Sequence, residues 1–232
     1  MKNNLALILA GGSGSRLDPS TPKQFLHLRD KPLLVHTLEK FQFHPRIDAI
    51  ILVTHAEFVL RTKELLKPFS LTKLGKILPG GSTRQESSAK GVAAASDNFT
   101  NILIHDAARP FVSEDQIDAM LDKLQHFSAV NMTVPVTDTI ARLDGNELVV
   151  EIPDRSQLRR VQTPQGFRLS VISEAHRLAQ QDNDNSATDD CSLILKYNLA
   201  PIANVTGHPN NIKVTSPIDL VIASQILDIE NG

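Results

Sequence analysis

The sequence has only one cysteine, Cys191. A lone cysteine cannot close an intramolecular disulfide, and Cys191 has no cysteine or histidine neighbours at the spacing of a structural zinc site. These absences argue against a disulfide-stabilised secreted fold and against a cysteine-based zinc centre. The expected compartment is therefore a reducing one, the cytoplasm.

Long apolar runs are lacking as well. The first run, LALILA at residues 5–10, is too short for a secretory signal, because two glycines follow it directly. No later segment approaches the roughly 20 apolar residues that a membrane span requires. We interpret the first run as a buried strand and expect no membrane-spanning segment.

Neither sign of charge is in marked excess. The chain has 24 Lys and Arg against 26 Asp and Glu, a net charge of −2, and no block of like charge. It therefore lacks the basic stripe that follows a nucleic-acid backbone, and nucleic acid is not an expected partner. With 41% apolar and 22% charged residues, its composition is that of a soluble globular protein.

Short apolar runs alternate with amphipathic, helix-length stretches over the first 136 residues. The runs are LALILA, AIILVT, KIL, NILIH and AVNMTVPV. Runs that are apolar throughout, separated by helices, predict βαβ units and a parallel sheet covered on both faces. We therefore predict an α/β fold and a single domain over residues 1–232.

Residues 138–161 break this rhythm. The turn signal Asp144-Gly145-Asn146 lies between two polar, strand-like halves, which predicts a projecting hairpin arm. An extended hairpin would expose unpaired strand edges on a monomer, so burial in a two-fold dimer is expected. A helix, a polar loop over 181–188, a helix from about Asp189, a strand near 201–206 and a final helix after Pro217 complete the predicted order.

A glycine-rich loop with two cations follows the first strand. Its residues are Gly11, Gly12, Gly14, Arg16 and Lys23. Glycines let the backbone come close to a ligand, and such a loop offers N–H groups to an anion at the carboxyl edge of the sheet. A nucleoside triphosphate is the natural occupant, although two solvated surface cations on an ordinary loop remain the alternative. The dinucleotide fingerprint lacks its third glycine and no Gly-Lys-Ser/Thr closes a Walker A loop, so a dehydrogenase or P-loop enzyme is not supported.

Seven segments, in order along nearly the whole chain, resemble the 2-C-methyl-D-erythritol 4-phosphate cytidylyltransferases. They are AGGSGSRL…TPKQFLHL…KPLLVHTL, PGGSTRQESSAKG, ILIHDAARPFV, PVTDTI, DRSQL with QTPQGF, TDDCSLI and NIKVTSPIDL. The resemblance implies a Rossmann-like, three-layer nucleotidyltransferase fold. It also implies transfer of CMP from CTP to 2-C-methyl-D-erythritol 4-phosphate, with release of pyrophosphate, in the non-mevalonate isoprenoid pathway. Two alternatives are the related ribitol-5-phosphate cytidylyltransferases and a nucleotide-binding regulatory module that has lost turnover.

The resemblance also implies a role for residues in each segment. Catalysis is implied for Arg16, Lys23 and Lys213; CTP binding for Ala10, Gly11, Gly12, Gly14, Gly81, Arg84, Ser87 and Asp106; and substrate binding for Arg109, Thr139, Arg155, Thr163 and Thr188. Arg16 and Lys23 would stabilise charge that develops on the α-phosphate. No general base is needed, because the nucleophile is a phosphate oxygen that is already ionised.

Structural interpretations of several of these residues stay open beside the functional ones. They are a plain turn at Gly80-Gly81, a surface cation at Arg84, a buried Asp106–Arg109 pair that only fixes a loop, a helix N-cap at Thr188, and interior packing of His105.

The arm is implied to complete the site of a neighbouring subunit in a homodimer, through Thr139 and Arg155. Where the family often has lysine after the DTI triplet, this chain has Ala141-Arg142, so contacts at the arm tip are in doubt. Magnesium is implied by the triphosphate and is expected to be held mainly by CTP oxygens. Asp106 is the one protein candidate, and no dedicated metal-binding residues are predicted.

Overall fold

The computed structural model describes residues 4–12, 22 and 25–231. The strands are β1 (Asn4–Ala10), β2 (His27–Leu28), β3 (Lys31–Pro32), β4 (Ala49–Thr54), β5 (Leu74–Pro79), β6 (Asn101–Asp106), β7 (Ala129–Pro135), β8 (Arg142–Leu143), β9 (Val149–Glu151), β10 (Arg159–Arg168) and β11 (Ile202–Thr206). The helices are α1 (Leu33–Gln42), α2 (Val59–Leu66), α3 (Arg84–Ala93), α4 (Glu114–Lys123), α5 (Leu169–Gln181), α6 (Asp190–Lys196) and α7 (Pro217–Asn231). Short 3-10 turns precede α2 and β10.

Seven of the strands form one sheet, in the spatial order β11, β7, β10, β6, β1, β4, β5. All are parallel except β10, which runs antiparallel to β6 and β7. The predicted α/β fold with a mostly parallel sheet is confirmed. The sequence pattern does not predict β10, because Pro164 interrupts it and its pairing with β7 shifts register between Gln162 and Gly166.

Helices cover both faces of the sheet, which gives the three predicted layers. On β1, Ala6 and Ile8 pack in the core shared with α1, α2 and α4. Leu5 and Leu7 point to the opposite face and pack in the core shared with α3, α5 and α6. This alternation is why the strand is apolar at every position: both of its faces are buried.

A third, smaller cluster lies beside the sheet. Leu28, Leu33 and Phe111 pack there against Ala223 and Ile226 of α7. It seats the last helix against the segment that enters α1. No helix in the described part of the chain is both long and apolar enough to cross a membrane.

The arm predicted over residues 138–161 contains a short hairpin. β8 pairs with β9 in antiparallel fashion, with Arg142 opposite Glu151. The Asp144 carboxylate closes the turn by accepting two backbone N–H bonds, from Asn146 and Leu148. Such a carboxylate-capped turn is what Asp-Gly-Asn predicts.

Two expectations about the arm need correction. Residues 159–161 belong to β10 and pair with β7, so the projecting part ends before them. The arm is also less polar than expected, because Leu143, Leu148 and Ile152 are each more than half exposed. Because these apolar residues are interspersed with charged ones in the sequence, the two halves of the arm were interpreted as polar.

Candidate active site

A cavity of about 390 Å³ opens at the carboxyl edge of the parallel strands. β1, β4, β5 and β6 all end at this edge, and the segment after each strand contributes to the wall. The lining residues are Leu9, Ala10, Gly11, Gly12, Leu33, His55, Gly81, Ser82, Thr83, Arg84, Ser87, Asp106, Ala107, Ala108 and Lys213. Open α/β sheets bind ligands at this position, because the strand ends point backbone groups and loops into one crevice.

The glycine turn on one wall is tied to the start of α3. Thr83 caps the helix by accepting the N–H of Glu86. Ser87 Oγ donates to the Thr83 carbonyl at 2.9 Å and accepts the Gly81 N–H at 3.1 Å. A Cβ at Gly81 would lie 2.3 Å from the Glu86 Cβ, so the backbone passes where a side chain has no room. Gly81 is therefore not only part of a turn. The position of this wall of the cavity requires a residue without a side chain at Gly81.

Three charged groups meet on the other wall. The Asp106 carboxylate contacts Lys213 Nζ at 2.7 Å and Arg84 Nε at 3.3 Å. Burial alone would raise the pKa of Asp106, but Arg84 and Lys213 outweigh it and hold this pKa well below its usual range. The carboxyl is therefore ionised at neutral pH, and Arg84 is an interior residue of the site instead of a surface cation.

Behind the cavity, Arg84 makes a second ion pair that the sequence analysis missed. Its Nη1 lies 2.7 Å from Oδ2 of Asp190, the first residue of α6, which is 1% exposed. Burial would raise the pKa of Asp190, yet chiefly Arg84 lowers it to about 2. The acidic pair in TDDCSLI was visible as a possible helix start, but nothing in the sequence shows that one of its carboxylates turns toward Arg84.

His105 is fully buried beneath this wall. Its Nε2 lies 2.9 Å from the Arg109 carbonyl and its Nδ1 3.1 Å from Thr163 Oγ. The Arg109 carbonyl can only accept, so Nε2 carries the imidazole proton, and Nδ1 accepts from the Thr163 hydroxyl, whose oxygen also accepts the Asp106 N–H. Burial lowers the pKa of His105 to about 4. The expected packing role fits this neutral, fully hydrogen-bonded ring.

The Arg109 side chain is positioned by the Asn211 carbonyl and not by Asp106. Its Nη1 donates to the Asn211 carbonyl at 2.8 Å. Among the described residues no direct ion pair joins Arg109 to Asp106, although the two charges attract each other over a longer distance and Asp106 acts to raise the pKa of Arg109. Arg109 and Thr163 support the residues of the cavity and do not line it.

The remaining predicted residues are not brought to the cavity of this chain. Arg155 is exposed on the arm and donates to the Thr137 carbonyl, while Thr139 is exposed just after β7. Thr188 is exposed beside α6, whose N-cap is Asp189 and not Thr188. Gly14, Arg16 and Lys23 lie outside the described residues. The lining includes His55, Ser82 and Thr83, which the sequence analysis did not select.

The described cavity does not offer a carboxylate cage for magnesium. Both oxygens of Asp106 are bonded to cationic side chains. Among the described residues, one group with metal-ligand proximity is found, namely His44, Glu114 and Asp118, and none of the three lines the cavity. The role of Asp106 as a magnesium ligand stays a prediction, and such a role would need at least one of its two cationic partners to give way.

Comparison with known proteins places the chain in a family. The model of the 2-C-methyl-D-erythritol 4-phosphate cytidylyltransferase family (IspD) matches residues 5–229. The chain is 39% identical over 229 residues to a Thermobifida fusca protein named 2-C-methyl-D-erythritol 4-phosphate cytidylyltransferase, covering 96% of this chain and 92% of that protein. It is 38% identical to a Vibrio parahaemolyticus protein named ribitol-5-phosphate cytidylyltransferase, over 99% and 98% of the two chains.

Solved structures agree with this. A crystal structure of 4-diphosphocytidyl-2C-methyl-D-erythritol synthase from Anaerococcus prevotii superposes with a TM-score of 0.86 at 27% identity, covering 98% of this chain and 96% of that one. The Thermus thermophilus 2-C-methyl-D-erythritol 4-phosphate cytidylyltransferase gives a TM-score of 0.79 at 31% identity over 98% and 100%. The chain therefore belongs to the family of 2-C-methyl-D-erythritol 4-phosphate cytidylyltransferases.

Proposed function

We propose that this cytidylyltransferase transfers CMP from CTP to 2-C-methyl-D-erythritol 4-phosphate in the non-mevalonate isoprenoid pathway. A phosphate oxygen of the alcohol phosphate attacks the α-phosphorus and forms the new P–O bond. The bond from the α-phosphorus to the bridging oxygen breaks, and pyrophosphate leaves. The product is 4-diphosphocytidyl-2-C-methyl-D-erythritol.

One observation carries the proposal: residues from four separate sequence segments that the family resemblance assigned to the reaction line a single cavity. They are Ala10, Gly11, Gly12, Gly81, Arg84, Ser87, Asp106 and Lys213. Its position at the ends of parallel strands suits a nucleotide.

The reaction requires little proton transfer by protein side chains. The attacking phosphate is an anion, so positioning and charge stabilisation carry the reaction. We assign charge stabilisation to Lys213 together with Arg16 and Lys23 of the glycine loop. The neutral, hydrogen-bonded His105 is not available as a base for the reaction.

We assign reading of the cytosine to Ala10, Gly81 and Ser87. The Gly81–Ser87 hydrogen bond fixes this wall, and a wall of small residues with fixed polar groups favours one base. With no tryptophan and 4% aromatic residues, the chain has few rings on which a base could stack. CTP should therefore be used in strong preference to UTP and ATP.

The arm supports a homodimer with shared sites. Its apolar side chains Leu143, Leu148 and Ile152 are exposed, and exposed apolar side chains of this kind are typical of a protein–protein interface. Arg155 lies on the same arm and away from the cavity of its own chain. We assign Thr139 and Arg155 to the neighbouring subunit's substrate, with Arg109, Thr163 and Thr188 completing the alcohol-phosphate side.

We further propose that the reaction takes place in the cytoplasm and uses magnesium. The ion would neutralise charge on the triphosphate and would be held by phosphate oxygens, because the described cavity has no free carboxylate for it.

Ribitol 5-phosphate is the second candidate acceptor, favoured by the 38% identity to the Vibrio parahaemolyticus protein. A pyrophosphate-release assay with CTP and magnesium separates the two acceptors when each is supplied in parallel. We expect turnover with 2-C-methyl-D-erythritol 4-phosphate and little with ribitol 5-phosphate. The reverse preference would overturn the assignment of the substrate, and pyrophosphate from neither would overturn the assignment of the reaction.

A further inference from the structure

The guanidinium of Arg84 has two anionic partners on different sides. Its Nη1 lies 2.7 Å from Asp190 Oδ2, and its Nε lies 3.3 Å from Asp106 Oδ1. Asp106 lines the cavity, whereas Asp190 does not. The shorter and therefore stronger of the two charged hydrogen bonds goes to the aspartate outside the cavity.

Asp190 is itself held from three elements. Ser88 Oγ of α3 donates to its Oδ1, and His176 Nε2 of α5 lies 3.4 Å from the same oxygen. The Asp190 backbone N–H donates to Gln165 Oε1 of β10 at 2.9 Å. These contacts fix the position of the Asp190 carboxylate independently of Arg84. The aspartate therefore determines where the guanidinium lies.

One nitrogen of the guanidinium is left over. Arg84 Nη2 is buried and has no hydrogen-bond partner among the described residues. A buried, unpaired donor on a cation is costly, so the guanidinium depends on its two aspartate contacts for stabilisation. Because the guanidinium is planar and rigid, fixing Nη1 on Asp190 and Nε on Asp106 also fixes its orientation at the cavity wall.

We propose that Asp190 is a positioning residue for the nucleotide site: it holds the Arg84 guanidinium at the cavity wall beside Asp106, where the arginine charge acts on bound CTP. Asp190 does not touch the nucleotide. This inference deepens the proposed function and rests on it, because it concerns CTP bound in the same cavity. Without the Asp190 charge, Asp106 is the one anionic partner left to Arg84 among the described residues, and Arg84 moves toward it, where it competes with Lys213.

The competing explanation is that the Arg84–Asp190 pair only ties α3 to α6. Both explanations predict a loss of stability, since breaking a buried ion pair leaves a charge unpaired. They differ in CTP affinity and in whether the effect of Asp190 depends on Arg84.

The test is a double-mutant cycle on CTP affinity, measured by calorimetric titration without the second substrate so that no turnover occurs. The proteins are wild type, Asp190→Asn, Arg84→Gln and the double variant. We expect Asp190→Asn to weaken CTP binding about tenfold or more, because a misplaced binding group costs that order. Arg84→Gln should weaken it at least as much, and the double variant should bind no more weakly than Arg84→Gln.

Equal CTP affinity of Asp190→Asn and wild type would overturn the inference, as would the same fold loss from Asp190→Asn in the Arg84→Gln background. Asp184→Asn is the matched control, because it breaks the exposed Lys196 ion pair of α6 away from the cavity. It should leave CTP affinity unchanged.

If Asp190→Asn does not fold, Ser88→Ala replaces it, since this change removes one anchor of Asp190 and keeps both charges. It should weaken CTP binding about threefold, the order of one hydrogen bond, and only while Arg84 is present. Unchanged affinity in folded Ser88→Ala would overturn the inference. Failure of wild type to bind CTP would instead contradict the proposed function itself.

Discussion

Lys213 Nζ lies 2.7 Å from Asp106 Oδ2, which joins the segment after β11 to the end of β6. The two residues are separated by more than a hundred positions in the sequence and meet at the wall of the cavity. The buried carboxylate thereby holds a lysine charge at the wall of the cavity that we propose as the CTP site. Fixed charges of this kind stabilise a transition state without reorganisation during the reaction.

Lys213→Ala should therefore lower kcat by roughly two to three orders of magnitude, the cost of losing one preorganised donor. Steady-state pyrophosphate release measures this. Lys196→Ala is the matched control, because Lys196 is paired with Asp184 on an exposed surface away from the cavity. If the two variants had equal kcat, Lys213 would have no part in the chemistry.

Gly81→Ala should weaken CTP binding, because the new Cβ would lie 2.3 Å from the Glu86 Cβ and would push the turn away from Ser87. We expect a loss of about tenfold or more in kcat/KM for CTP, the order that a misplaced binding group costs. Gly145→Ala on the arm is the control, since a Cβ there meets nothing within 4 Å. Wild-type kcat/KM in Gly81→Ala would argue against a close approach of the nucleotide to this turn.

His105 should make the fold sensitive to mild acid. Burial lowers its folded pKa to about 4, whereas the unfolded chain has the ordinary value of 6.5. Above pH 6.5 neither state is protonated. As the pH falls from 6.5 toward 4, only the unfolded state gains the proton, so up to about 3 kcal/mol of the free energy of unfolding is lost.

His105→Gln provides one acceptor and one donor but does not titrate, so it should make this decline shallower. Urea unfolding at a series of pH values between 4 and 7 measures the difference. The decline should not vanish, because burial also lowers the pKa of His44, which acts in the same direction. Parallel curves for wild type and variant would contradict the neutral, buried state of His105.

The assignment of Arg155 to a partner's site predicts complementation between inactive variants. If sites are shared, a heterodimer of Arg155→Ala and Lys23→Ala has one site with both lesions and one intact site, so activity returns on mixing. If each chain completes its own site, both sites stay singly damaged. The double variant mixed with wild type gives the opposite pattern and is the control.

Recovery in the mixture of single variants, with none gained in the control mixture, is the expected outcome. Subunit exchange is verified by native mass spectrometry of differently tagged chains. No recovery among exchanged single variants would rule out a shared site.

The strand pattern predicted both the sheet and part of the cavity wall. Parallel strands end at one edge, so residues just after apolar runs, such as Gly11 and Asp106, were expected to meet there, whereas Gly81, Arg84 and Ser87 were implied only by the family resemblance. The ion pair of Asp190 with Arg84 was not predicted, because no local sequence feature distinguishes a carboxylate that caps a helix from one that pairs with an arginine 106 positions away. Strand β10 was not predicted, because its polar residues and Pro164 break the apolar pattern on which strand prediction depends.

Transfer of the CMP part of CTP to 2-C-methyl-D-erythritol 4-phosphate can be followed through the phosphorus atoms, with CTP labelled at the α-phosphate in one reaction and at the γ-phosphate in another. We expect the α-label in 4-diphosphocytidyl-2-C-methyl-D-erythritol and the γ-label in pyrophosphate, with one of each formed per turnover. An α-label that stays in free CMP or CDP, or a γ-label that moves to the alcohol phosphate, would contradict it.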